Sequence, residues 1–158
     1  MPAAVVHQVQ SHKIKSCLTS GQQFADFDQH LDHARSGPLW LKNPVIADSV
    51  VSTLRKGQDE LNQYILHAYV VMANHIHVLL VPGIAAARIT CGIKGVTSRN
   101  ANRILARTGQ PFWQDESFDH WARDSAEQER IRKYIESNPV KAGLVAKPED
   151  WLWSSAHK

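Results

Sequence analysis

Apolar positions recur at helical spacing over residues 24–34, where Phe24, Phe27, Leu31 and Ala34 fall three or four apart. Gly37 and Pro38 break that segment. A second helix is expected to open at Asp48 and to bury Val50, Val51, Leu54 and Leu61, with Gly57 ending or bending it. The period then changes. YILHAYVV (64–71) and HIHVLLV (75–81) are rich in strand formers, and Ala73-Asn74 between them predicts two antiparallel strands joined by a tight turn. Pro82-Gly83 closes the second strand. Helical spacing returns over residues 86–108 through Ile89, Ile93, Val96, Ile104 and Leu105, with Gly109 where a C-terminal glycine is expected.

Phe112-Trp113-Gln114 reads as short irregular or extended chain. Ser125 is a suitable N-cap for a helix over residues 127–137, carrying Ile131, Tyr134 and Ile135. Asn138-Pro139 is expected to end it, since a residue before proline is disfavoured in helical geometry. Leu144-Val145 suggests a last strand before a Trp151-Leu152-Trp153 tail, and the run from Val5 to Gln10 an edge strand. No repeat or low-complexity tract appears. Strands alternating with helices argue for a compact α/β or α+β sandwich with helices on a small sheet.

Composition changes this picture little. A chain of 158 residues, 43% hydrophobic and 21% charged, fits one globular domain with a real core. No run approaches the ~20 apolar residues of a membrane span, and no export signal is visible, so no membrane partner and a cytoplasmic location are expected. Cys17 and Cys91 match no metal or redox spacing. The net charge of +3 permits a polyanionic partner without requiring one. Its distribution says more: residues 88–107 carry Arg88, Lys94, Arg99, Arg103 and Arg107 and no acid, which suits either a phosphate-contacting surface or a solvated helix face.

Two constellations could carry chemistry. On a strand, residues two apart share a face, so His75 and His77 project together while Ile76 turns to the opposite layer. Two adjacent imidazoles make half of a divalent-metal site. A hydrogen-bonded structural pair is the commoner fate of His-x-His. Here the apolar flanks imply a central strand, where an unemployed polar pair costs stability. On the late helix, Tyr134 and Asn138 are four apart and share a face. A phenol becomes a useful nucleophile toward a phosphodiester beside a divalent cation; alone, such a tyrosine is more often a packing residue.

The strings VVMANHIHVLL, FWQDESFDHWARD and YIESNPVKAGLVAKPEDWLWSSA together resemble the HUH-type single-tyrosine transposases, most closely the REP-associated tyrosine transposases and similar insertion-sequence enzymes, over about residues 21–156. The resemblance implies a single domain over residues 1–158 of α+β class: a ferredoxin-like antiparallel sheet with helices packed on it. It implies His75 and His77 as metal ligands, Asn138 as a third, Tyr134 as the nucleophile taking the 5′-phosphate of cleaved single-stranded DNA, and magnesium or manganese as the metal. DNA contacts would come from Lys94, Arg99 and Arg103, from aromatics such as Phe112 and Trp113, and from His120 in the FDHWARD string. The partner would be single-stranded or hairpin DNA, bound by a monomer or homodimer.

The chain departs from the family at Ala73, where proline is usual, and in residues 1–20, which match poorly the family's first strand. Val5 to Gln10 either fills that slot or leaves it degenerate. Two other functions fit the same residues. A domesticated hairpin-binding protein would keep the basic helix without needing Tyr134. A small-substrate metal hydrolase would pair His75 and His77 with Asp115 or Asp119.

Overall fold

The computed structural model describes residues 3–9, 38–114 and 117–158, with backbone alone for 3–9 and 117–120. The helix expected over residues 24–34 lies outside the described residues. Four strands form one sheet: β1 (Ala3–Val9), β2 (Tyr64–Val71), β3 (His75–Pro82) and β4 (Ser117–Ala122), in the order β2-β3-β1-β4. Among the described residues three helices pack on it: α1 (Pro44–Asp59), α2 (Ala86–Ile104) and α3 (Ser125–Lys141). The α+β class holds. The strand order is that of a ferredoxin-like sheet, but the expected antiparallel pairing is confined to β2 and β3, because β1 runs parallel to both β3 and β4. The Val5 segment is therefore an inner strand, not an edge. No helix among the described residues is long and apolar enough to cross a membrane.

Alternation along β3 divides the core into two layers. Ile76, Val78 and Leu80 face α1 and α2, where they join Ile46, Val50, Leu54, Ile89, Ile93 and Phe112. His75, His77 and Leu79 take the other phase. There Leu79 packs with Ala68, Val70 and Met72 against Ile131 and Ile135 of α3. A bulge between Leu66 and Ala68 leaves His67 out of the ladder and lets β2 keep its apolar residues in phase with β3 on both faces.

Several boundaries differ from the expected ones. Helix α1 starts at Pro44, not Asp48: the Asn43 side chain accepts from Val45 N at 3.0 Å, with proline at the first helical position. Leu61 falls beyond its end and is exposed. In α2 the buried stripe continues through Thr97 and Ala101, leaving Val96 and Ile104 at the surface. Thr97 can be buried because its hydroxyl donates to Ile93 O at 2.7 Å and accepts from Trp113 Nε1 at 2.8 Å. Helix α3 is capped by Asp124, which accepts from Glu127 N at 2.7 Å, and it continues through Asn138-Pro139 to Lys141. Leu144 and Val145 form no strand. Instead the tail returns to the outer edge of β2, with Val71 N donating to Trp153 O and Ser155 N to Tyr69 O, both at 2.9 Å.

Gly57 neither ends nor bends α1. It is buried, and a Cβ there would collide with the Tyr64 phenol, whose hydroxyl donates to Leu54 O at 2.8 Å. Glycine is thus the residue that lets β2 pass close under α1. Replacing Gly57 with Ala should lower stability by about 2 kcal/mol, overpacking outweighing the gain in helix propensity, read as a lower urea midpoint. Burial, and secondarily Asp59, pushes the Tyr64 phenol from its ordinary 10.0 up to about 12. The folded state holds that proton more tightly, so the stabilisation is complete below pH 10 and fades as pH rises through the folded value. Unfolding free energy should therefore fall on titration above pH 10, and fall less steeply in Tyr64→Phe.

Candidate active site

Strand β3 carries His75 and His77 on its α3-facing side, as a period of two requires. Both are buried, at 1% and 0% exposure, and their rings meet edge to face with centroids 4.9 Å apart. Helix α3 crosses that face. It brings the Tyr134 ring to the His77 ring, centroids 6.2 Å apart and nearly perpendicular. The helix can do this because Ile131 and Ile135, on either side of Tyr134, seat it on Ala68, Val70 and Leu79.

The His75 imidazole is held neutral. Burial, and then the charge His77 would carry, lowers its pKa well below the ordinary value. Its Nδ1 lies 2.7 Å from Asn74 Oδ1. An amide oxygen only accepts, so with the amide assigned this way Nδ1 carries the proton and Nε2 keeps its lone pair. A neutral, tautomer-fixed imidazole is the form that ligates metals. Asn74 looked like a turn residue in the sequence; its adjacency to the histidine pair was the available signal.

Asn138 lies one turn beyond Tyr134 on the same face of α3. It is completely buried, and neither its Oδ1 nor its Nδ2 has a hydrogen-bond partner among the described residues. An amide buried in this way calls for an ion, a water or a substrate. Among the described residues no third histidine, cysteine or carboxylate joins the imidazole pair. The amide oxygen of Asn138, on the helix that crosses this face, is of a kind suited to a hard cation.

Lys141 extends the stripe. Its Nζ lies 3.7 Å from the centroid of the Tyr134 ring, seven residues back. It was missed in the sequence because Pro139 seemed to end the helix two residues earlier.

The expected DNA contacts divide. Arg99 and Arg103 are exposed on α2, where they line a groove with Asn102, Thr108 and Gln110. Lys94 is half-buried and donates to Gln114 O at 2.7 Å, tying down the chain after α2. Arg107 lies over the Trp40 ring at 4.0 Å. Trp113, expected as a stacking platform, is a correction: at 6% exposure it is a core residue, bonded to Thr97 and in edge contact with Phe112, itself 1% exposed. Neither face is open to a base. The backbone of His120 pairs in register with His7 on β4 and β1. The His120 side chain, with those of Asp115 and Asp119, lies outside the described residues.

Neither a curated protein nor a solved structure matches the chain. A family model does, that of the IS200-like transposases, over residues 39–138. The matched stretch contains β2, β3, α1 and α2 whole, and takes in His75, His77, Tyr134 and Asn138. That is well over half of the sequence, and the chain belongs to the IS200-like transposase family, whose partner is DNA.

Proposed function

We propose that this protein is a metal-dependent single-stranded DNA endonuclease and strand transferase of the HUH single-tyrosine type, akin to the REP-associated transposases and acting on hairpin or repeat DNA. The observation that carries the reading is the contact of the late-helix phenol ring with His77, itself packed against His75 on the same strand. A phenol more than fifty residues away in sequence meets the histidine pair's strand, as a nucleophile and its phosphate-polarising partner must.

Tyr134 supplies the attacking oxygen. Its phenolic oxygen bonds to phosphorus as the bond from phosphorus to the 3′-oxygen breaks; the phenol gives up its proton and the 3′-oxygen gains one. The products are a 5′-phosphotyrosine and a free 3′-hydroxyl. The bond energy is conserved, so attack by a 3′-hydroxyl on the phosphotyrosine reseals a strand without an external energy source. His75, His77 and Asn138 would hold magnesium or manganese, a fit supported by the neutral imidazole and by the buried, unsatisfied amide. Bound there, the cation supplies charge stabilisation to the scissile phosphate. Asn74 orients His75 by accepting a hydrogen bond from its Nδ1–H. Arg99 and Arg103 offer exposed cations to the DNA backbone away from the cut.

The decisive assay incubates labelled hairpin or single-stranded oligonucleotide with manganese and looks for a denaturation-resistant adduct. The parent should form it, chelation should suppress it, and Tyr134→Phe should abolish it. A phenylalanine variant that cuts as well as the parent would refute the phosphotyrosine. Asn74→Ala, which frees the His75 tautomer, should raise the manganese concentration for half-maximal adduct about tenfold, leaving the maximum near that of the parent.

A further inference from the structure

Helix α3 does not stop at Asn138-Pro139, and the extra turn has a chemical consequence. It places Lys141 on the same stripe as Tyr134 and Asn138, at positions i, i+4 and i+7. Side chains on a helix lean toward its N-terminus, so a lysine near the C-terminal end reaches back along that stripe. Its ammonium arrives 3.7 Å above the Tyr134 ring centroid, while His77 meets the same ring edge to face. A long, exposed lysine has many rotamers open to it; the one adopted covers the ring of the candidate nucleophile.

Resting on the reading of Tyr134 as nucleophile, we propose that Lys141 is a positioning residue for strand cleavage: it fixes the Tyr134 ring by cation–π contact and presents a positive charge where the scissile phosphate must approach the phenolic oxygen. The two roles need the same atom. Attraction between the ammonium and the ring face restricts the rotation of the tyrosine about its side-chain bonds. The same ammonium, compact and carrying three donors, can bond a phosphate oxygen that arrives beside the ring. No proton or electron passes through it. Helix α3 closes just beyond it: Ala142 N donates to Asn138 O and Gly143, at φ +69, turns the chain away. The lysine is thus carried by the last ordered turn of a seated helix and not by a loop.

The test compares Lys141→Met, which keeps length and removes charge, with Lys141→Arg, which keeps the charge, in single-turnover adduct formation with a single-stranded oligonucleotide and manganese. Thermal unfolding of each variant confirms that the helix is intact. Lys141→Met should lower the rate at saturating DNA about tenfold with less than a threefold change in the DNA concentration for half-maximal rate. Lys141→Arg should recover most of that loss. A methionine variant with the parental rate would overturn the proposal, as would a loss that arginine does not restore or one confined to DNA affinity. A parent that forms no adduct at all sinks the underlying reading, and this inference with it.

Discussion

Two imidazoles buried side by side on an inner strand are the constraint on which the rest of the structure depends. His75 and His77 take positions in β3 that apolar residues would otherwise fill, since Ile76, Val78 and Leu80 on the opposite face make an ordinary core. Burying such groups is unfavourable unless their polar atoms are engaged and their charge suppressed. At His75 the Nδ1–H donates to Asn74 Oδ1, and desolvation keeps the ring neutral. The pair is then a poor element for packing and a good one for binding a cation. That trade only makes sense if the cover over it contributes chemistry as well.

The cover is α3, and its attachment to the sheet is unusually redundant. Ile131 and Ile135 pack on β2 and β3. Arg132 joins Glu129 and Glu136 along the outer face, and Glu136 accepts from Ser155 Oγ at 3.0 Å. Ser155 in turn bonds the backbone of Tyr69, while Trp151 Nε1 donates to Val71 O at 3.0 Å. The C-terminal tail therefore closes the free edge of β2 and clamps the helix that bears Tyr134. Rigid support of this kind is what a nucleophile needs to be held in place before substrate arrives. The Asn138 amide on the same stripe is buried with no hydrogen-bond partner among the described residues.

The strand hairpin and the shared face of His75 and His77 were legible from a period of two and an Ala73-Asn74 turn, because local pattern decides both. The helix ends were not. Pro139 reads as a stop, yet helical residues on either side and a buried ring outweigh one missing N–H, and the helix keeps Lys141 in line. Trp113 differs in another way: the family resemblance offered it as a stacking platform, with core packing the competing reading, and Thr97, sixteen residues earlier, gives its indole N–H a buried acceptor. Nothing in the local sequence records that pairing. The direction of β1 was equally invisible, since a short alternating run fits a sheet in either sense and only its neighbours β3 and β4 decide.

The central claim is that the Tyr134 oxygen becomes bonded to the 5′-phosphate of the cut strand. Trypsin should cleave after Lys133 and Lys141 and release residues 134–141 as one peptide, in which Tyr134 is the sole tyrosine. Peptide mass spectrometry of the nuclease-trimmed, trypsin-digested adduct should find a nucleotide phosphate on that peptide, localised by fragmentation to Tyr134. The same modification on another peptide, or on Ser137 within this one, would contradict the account.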